Sequence, residues 1–161
     1  MAIREKTHRL PRKCYRGRVA AAFTLCIKDR KPLFIDSTVV NIFTEILKNA
    51  AADHHCQIPA YCFMPDHVHI IATGIQEDSK LVNFINSYKQ KTGFWMSKNQ
   101  PNVSWQKDFY DHIIRKAEGL PEVIRYILDN PVRQGLVADW HDYPFKGAIG
   151  CSLEEVLEYL L

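Results

Sequence analysis

The chain has 161 residues, of which 47% are hydrophobic and 24% charged, with a formal net charge of +3. These proportions suit one globular domain able to bury a core and exclude disordered or collagen-like classes. No apolar run reaches the roughly 18 residues of a membrane span, and none follows the basic N-terminus at signal-peptide distance, so the expectation is a single cytoplasmic domain over 1–161.

Five cysteines, an odd number without a CxxC pair, point to free thiols, most of them acting as small buried hydrophobes. Charge is uneven. Between Arg4 and Arg18 lie Arg4, Lys6, Arg9, Arg12, Lys13, Arg16 and Arg18 against one acid, Glu5. Such an arm, about 1–17, fits either a solvated leader or attraction to a polyanion such as nucleic acid.

Residues 1–15 read as irregular. The stretch 18–27 reads as a strand, with Phe23, Leu25 and Ile27 on one face and Thr24 and Cys26 on the other. After a turn at 29–32, Asp36, Ser37 and Thr38 offer N-caps for an amphipathic helix over about 38–52. Strands follow at 57–64 and 67–73, joined by Pro65-Asp66 in an antiparallel hairpin. A second helix spans about 79–96. Tyr88 lies in its apolar stripe as a packed residue, and Lys89 and Lys91 lie on its polar side. The stretch 105–115 is strand-like. A helix over about 120–130 stops near Pro131. Residues 140–149 are loop or short edge strand, and Ser152 caps a final helix to 161. The order β-α-β-β-α-β-α suggests an α+β fold, a mainly antiparallel sheet with helices packed on it.

Two features carry chemistry. His67 and His69 are two apart on a strand, so both imidazoles point to one face while Val68 and Ile70 point to the other. The pair fits either a polar strand surface or half a metal site; with no matching Cys or His pair elsewhere, an open catalytic site suits it better than structural zinc. On the helix before Pro131, Tyr126 and Asn130 are four apart, a spacing that places them on a shared face at the margin of the apolar stripe. Tyr126 there is either an amphipathic residue at the core edge or a group facing a cleft.

Met64-Pro65-Asp66-His67-Val68-His69 resembles the HUH motif (His, hydrophobic, His) of the single-tyrosine transposases, which include the insertion-sequence enzymes and the REP-associated tyrosine transposases. The likeness continues through Trp105–Arg115 and through Tyr126-Ile127-Leu128-Asp129-Asn130-Pro131-Val132-Arg133-Gln134-Gly135-Leu136. It implies a ferredoxin-like or RRM-like βαββαβ core of the HUH nuclease type. It implies Tyr126 as nucleophile, with His67, His69 and Asn130 holding Mg²⁺ or Mn²⁺; the insertion-sequence enzymes have Gln where Asn130 stands. The implied activity is nicking and strand transfer of single-stranded DNA, often beside a hairpin, through a 5′-phosphotyrosine, by a monomer or homodimer. DNA contacts are expected from Arg12, Lys13, Arg16, Arg18, Lys89, Lys91 and Arg115. The alternatives are a DNA-hairpin-binding protein of the same fold without cleavage, and a metal-dependent hydrolase of small phosphoesters.

Overall fold

The computed structural model describes residues 12–115 and 119–159, except the side chains of Lys13, Cys14 and Tyr159. Its strands are β1 (Ala20–Cys26), β2 (Cys56–Met64), β3 (His67–Gly74), β4 (Tyr110–Ile114) and β5 (Lys146–Ile149). Its helices are α1 (Ser37–Asp53), α2 (Leu81–Asn99), α3 (Leu120–Leu128), α4 (Asn130–Arg133) and α5 (Leu153–Tyr159). The sheet order is β4-β1-β3-β2-β5, and every neighbouring pair is antiparallel. The first four strands with α1 and α2 form the expected ferredoxin-like βαββαβ core, and β5 extends the sheet beyond β2. No helix among the described residues is long and apolar enough to cross a membrane.

Local signals set the helix starts. The Asp36 carboxylate accepts from the Thr38 N–H at 2.7 Å and caps α1. Ser152 and Glu155 form a reciprocal box at the start of α5: the Glu155 N–H donates to Ser152 Oγ at 3.1 Å, and the Ser152 N–H to Glu155 Oε2 at 3.4 Å.

Both sheet faces are covered. On one, Phe23, Leu25, Val68 and Ile70 meet Phe43 and Leu47 of α1 and Phe84, Ile85 and Tyr88 of α2. On the other, Ala60, Cys62, Met64 and Ile71 meet Ile124, Ile127 and Leu128 of α3. Central β3 is therefore buried on both sides, and its histidines lie inside the protein, His67 6% and His69 9% exposed. A bulge in β2 between Gln57 and Ala60 resets the alternation, so that Ile58 and Tyr61 both side with α1 and α2. Pro59, which has no N–H to give a ladder, sits at this irregularity.

Two expectations are corrected. The strand read over 105–115 is regular only from Tyr110. Trp105 makes an isolated bridge to Ile27, while Tyr110 pairs with Thr24. Five steps on one chain thus face three on the other, two residues bulge out, and the ladder is interrupted. The region read as irregular to residue 15 is ordered from Arg12. Arg12–Tyr15 is a 3-10 turn, and Tyr15 is buried in the α1/α2 core with its hydroxyl donating to buried Asp111. The apolar ring and the satisfied hydroxyl pin this segment, so the chain is anchored before Arg16, which bridges to Lys80. Residues 1–11 lie outside the described residues.

Cys26, Cys56 and Cys62 are buried free thiols, and Cys151 is partly exposed. Burial pushes Cys56 and Cys62 up to about 12. At about pH 8 their thiolate fraction falls roughly 10³-fold below that of an ordinary cysteine. Brief alkylation of the native protein should therefore leave Cys56 and Cys62 unmodified in peptide mass spectra, with both modified in denaturant. Rapid native labelling of either would contradict this burial.

Candidate active site

The site begins at the first residues of β3. His67 faces Cys26 and Met64 across its two neighbouring strands, and His69 faces Thr24 and Cys62. Both imidazoles point to the α3 side of the sheet, the face that also carries Ile71. Each ring is held from behind. His67 Nδ1 lies 2.6 Å from Asp66 Oδ1, and His69 Nδ1 lies 2.9 Å from Thr24 Oγ1. Asp66 is fixed in turn by Arg30, whose Nε donates to Oδ2 at 2.9 Å. The two Nε2 atoms then meet at 3.1 Å, the rings standing at 89° to each other.

Burial lowers the proton affinity of both imidazoles. For His67 the adjacent Asp66 opposes that effect, yet the group still lies below its ordinary value. His69 is lowered to about 3, first by burial and then by the positive surroundings of His67, Arg133 and Arg30. Asp66 is raised by burial, but the bonds from His67 and Arg30 outweigh this and leave it below the usual carboxylate range. At neutral pH the pair is thus two neutral imidazoles beside an ionised carboxylate. Asp66 accepts the His67 Nδ1 proton and leaves the Nε2 lone pair for the site.

Asn130 completes the cluster. It is 7% exposed, and its amide nitrogen lies 2.8 Å from His69 Nε2. Its route there differs from the expected shared helical face with Tyr126. α3 ends at Leu128, Asp129 forms the break, and Asn130 opens α4. Pro131 has no N–H to give the Ile127 carbonyl, so the ladder of α3 is interrupted, and the proline sits in the first turn of α4, where it is tolerated. From this first position of α4 the short amide side chain reaches His69.

This donor set fits a small divalent cation. Cis ligands at about 2.1 Å from an octahedral ion lie about 3.0 Å apart, close to the 3.1 and 2.8 Å contacts here. Rotating the Asn130 amide presents its oxygen in place of nitrogen. Two histidines and one amide would leave further positions of such an ion open. No cluster of three or more His, Cys, Asp or Glu suited to a metal occurs among the described residues.

Tyr126 is half-buried at the rim of a cleft of about 790 Å³, which Arg125, Arg133, Trp140 and His141 also line. The Arg133 guanidinium lies 3.9 Å from the centre of the Tyr126 ring, donates to the Tyr126 carbonyl at 2.6 Å and reaches Asp129 at 3.3 Å. His67 and His69 do not line this cleft. Asn130 links the two regions: it touches His69 and stands four residues after Tyr126.

Among the described side chains, the basic residues expected to contact DNA are set apart from the histidines. Lys89 and Lys91 are on α2, across the sheet from the histidines. Lys89 donates to the Lys107 carbonyl and lies over Phe109, and Lys91 pairs with Asp53 at 3.5 Å. Arg16, Arg18 and Arg115 are exposed near the Ala20 end of β1. That end is six register steps, about 20 Å, from the His67 end. Arg12 is exposed and reaches Asn83 at 3.4 Å, and the Lys13 side chain lies outside the described ones. The arginines near the site are Arg30 and Arg133, neither singled out from the sequence, and the same holds for the orienting Thr24 and Asp66. The available signals were an acid directly before the His pair, a hydroxyl among the apolar residues of β1, and an arginine within the motif after Tyr126.

The family described as transposase IS200 like matches residues 17–130, more than two thirds of the chain and including both histidines, Tyr126 and Asn130. The chain belongs to the IS200-like transposase family. This IS200-like transposase is 27% identical over 125 residues to a REP-associated tyrosine transposase of Escherichia coli, covering 77% of this chain and 73% of that one. Its fold is that of a solved REP-associated tyrosine transposase bound to a REP hairpin (TM-score 0.72, 23% identity, 89% of this chain and 82% of that chain). Membership makes the protein a DNA-processing enzyme, a tyrosine transposase of DNA transposition and recombination.

Proposed function

We propose that this transposase nicks and rejoins single-stranded DNA beside a hairpin, with Tyr126 as nucleophile and His67, His69 and Asn130 as holders of Mg²⁺ or Mn²⁺. The observation that carries the reading is the convergence of the two Nε2 atoms and the Asn130 amide, with each imidazole oriented from behind by Asp66 or Thr24. Bound there, the cation supplies charge neutralisation at the scissile phosphate.

Tyr126 Oη attacks phosphorus in line. The new O–P bond replaces the bond from phosphorus to the 3′-oxygen, the phenol proton passes to solvent, and the 3′-oxygen leaves as a hydroxyl. The bond energy is kept in the 5′-phosphotyrosine. Attack by another 3′-hydroxyl rejoins the strand and returns a proton to Tyr126. Asp66 and Thr24 hold the ring planes, and burial keeps the imidazoles neutral. Ile124, Ile127 and Leu128 seat α3 on its own sheet, which supports assembly of the site within one chain.

A second reading, hairpin binding without cleavage, draws on the capping of Tyr126 by Arg133 in a cleft that the histidines do not line. One experiment separates the two. Labelled hairpins with single-stranded tails, drawn from inverted repeats flanking the gene, are incubated with the protein and Mn²⁺. A covalent protein–DNA band abolished by EDTA supports strand transfer. Binding without a band across several metals and tails supports the second reading. Absence of both binding and a band overturns both.

A further inference from the structure

The cleft beside Tyr126 holds an aromatic pair for which the strand-transfer chemistry above has no role. In the turn Trp140–Asp142, the Trp140 and His141 rings stack with centroids 3.8 Å apart and planes at 27°. The stack is built, not incidental. Asp139 accepts both the His141 backbone N–H at 3.0 Å and a bond from its Nδ1 at 2.7 Å, which fixes the ring plane. Lys146 donates to the carbonyls of His141 and Tyr143 at 2.9 and 2.6 Å, holding the turn from below, and lies 5.6 Å from the centre of the indole. His141 covers one face of the indole while 64% of its own side chain stays exposed. The outer face of the imidazole is therefore the open end of an oriented stack. Trp140 and His141 line the same cleft as Tyr126, and its volume of about 790 Å³ lies within the range of about 300–1,000 Å³ typical of ligand sites.

We infer that the Trp140–His141 stack is a platform for one base of the single strand, that of the nucleotide adjacent to the scissile phosphodiester. The inference rests on Tyr126 as nucleophile, because that role places the reacting phosphate at this cleft. Stacking, not phosphate charge, is the recognition the cleft offers: Arg125 and Arg133 are balanced there by Glu122 and Asp129. A flat, pre-oriented ring accepts the π face of any base at little ordering cost, as in proteins that hold single strands on aromatic side chains. His141 and Trp140 would then position the strand, leaving the reacting atoms to Tyr126 and the histidines.

The probe is a DNA hairpin with a single-stranded thymidine tail carrying 2-aminopurine at successive positions. Wild-type protein should quench the fluorophore strongly at one tail position near the adduct site. His141→Ala should lose that quench and bind the tail about tenfold more weakly. Its circular dichroism should be unchanged, because the side chain is exposed. His141→Phe keeps an aromatic plane without the bond to Asp139 and should restore both signals. If wild type forms the Tyr126 adduct while His141→Ala binds and quenches equally well, the platform is overturned and the proposed function stands. If wild type neither binds the hairpin nor forms an adduct, the proposed function falls and the platform with it.

Discussion

Tyr126→Phe should bind a hairpin-tailed single strand with unchanged affinity and form no covalent adduct, the rate falling by at least about 10³-fold. The substitution deletes one hydroxyl from a half-buried ring and keeps the aromatic face under the Arg133 guanidinium. Packing of α3 rests on Ile124, Ile127 and Leu128, so the fold should be intact. Other tyrosines are poor substitutes. Tyr143 is buried, its hydroxyl donates to the Phe63 carbonyl, and burial pushes it well above its ordinary value. Tyr88 is buried in the core against α1 and also pushed up by burial. Denaturing gels of the two proteins with labelled DNA, alongside anisotropy titrations, measure both arms. A persistent adduct in the variant would move the nucleophile elsewhere, and a parallel loss of binding would make Tyr126 a binding residue.

His69→Ala should weaken Mn²⁺ binding by more than about 100-fold, read by electron paramagnetic resonance of free Mn²⁺ without DNA present. His69 is the hub of the cluster: it touches His67, Asn130 and Thr24 at once. Removing it deletes one donor and the contact that brings Asn130 inward. The orienting partners act one step back, so Thr24→Val and Asp66→Asn should each lower affinity by about 10–100-fold. Asp66→Asn has the added consequence of weakening the pairing with Arg30. Equal Mn²⁺ binding by wild type and His69→Ala would remove the histidine pair from the metal site. Loss in His69→Ala with no change in Thr24→Val would show that the ring needs no fixing from behind.

Much of this protein is legible along the chain because the responsible forces act over a few residues. The strands read over 18–27 and 67–73, the helical stripes of α1 and α2, the Asp36 cap and the Pro65-Asp66 turn are all local, and all appear in the structure close to where the sequence places them. The same holds for the orientation of His67 and His69 toward one face, a consequence of the two-residue period of a strand. The resemblance carried by Met64–His69, Trp105–Arg115 and Tyr126–Leu136 names the same transposase family that matches residues 17–130.

What the sequence by itself could not decide depends on contacts between residues far apart in the chain. Asn130 meets His69 across 61 positions because Pro131 breaks the helix and α3 packs over β2 beside β3. Tyr15 reaches Asp111 across 96 positions and turns the end of an expected loose arm into core. A helical wheel places Lys89 and Lys91 on the polar side of their helix, and the crossover from β3 to β4 carries that helix to the face opposite the histidines. The placing of Trp140 and His141 in the cleft beside Tyr126 and Arg133 depends on where the 3-10 turn at Trp140 docks. Periodicity tells which side of an element is apolar. Which neighbour covers it is settled only when the whole sheet closes its two cores, and that choice put the histidines, the amide and the tyrosine on one side of this protein.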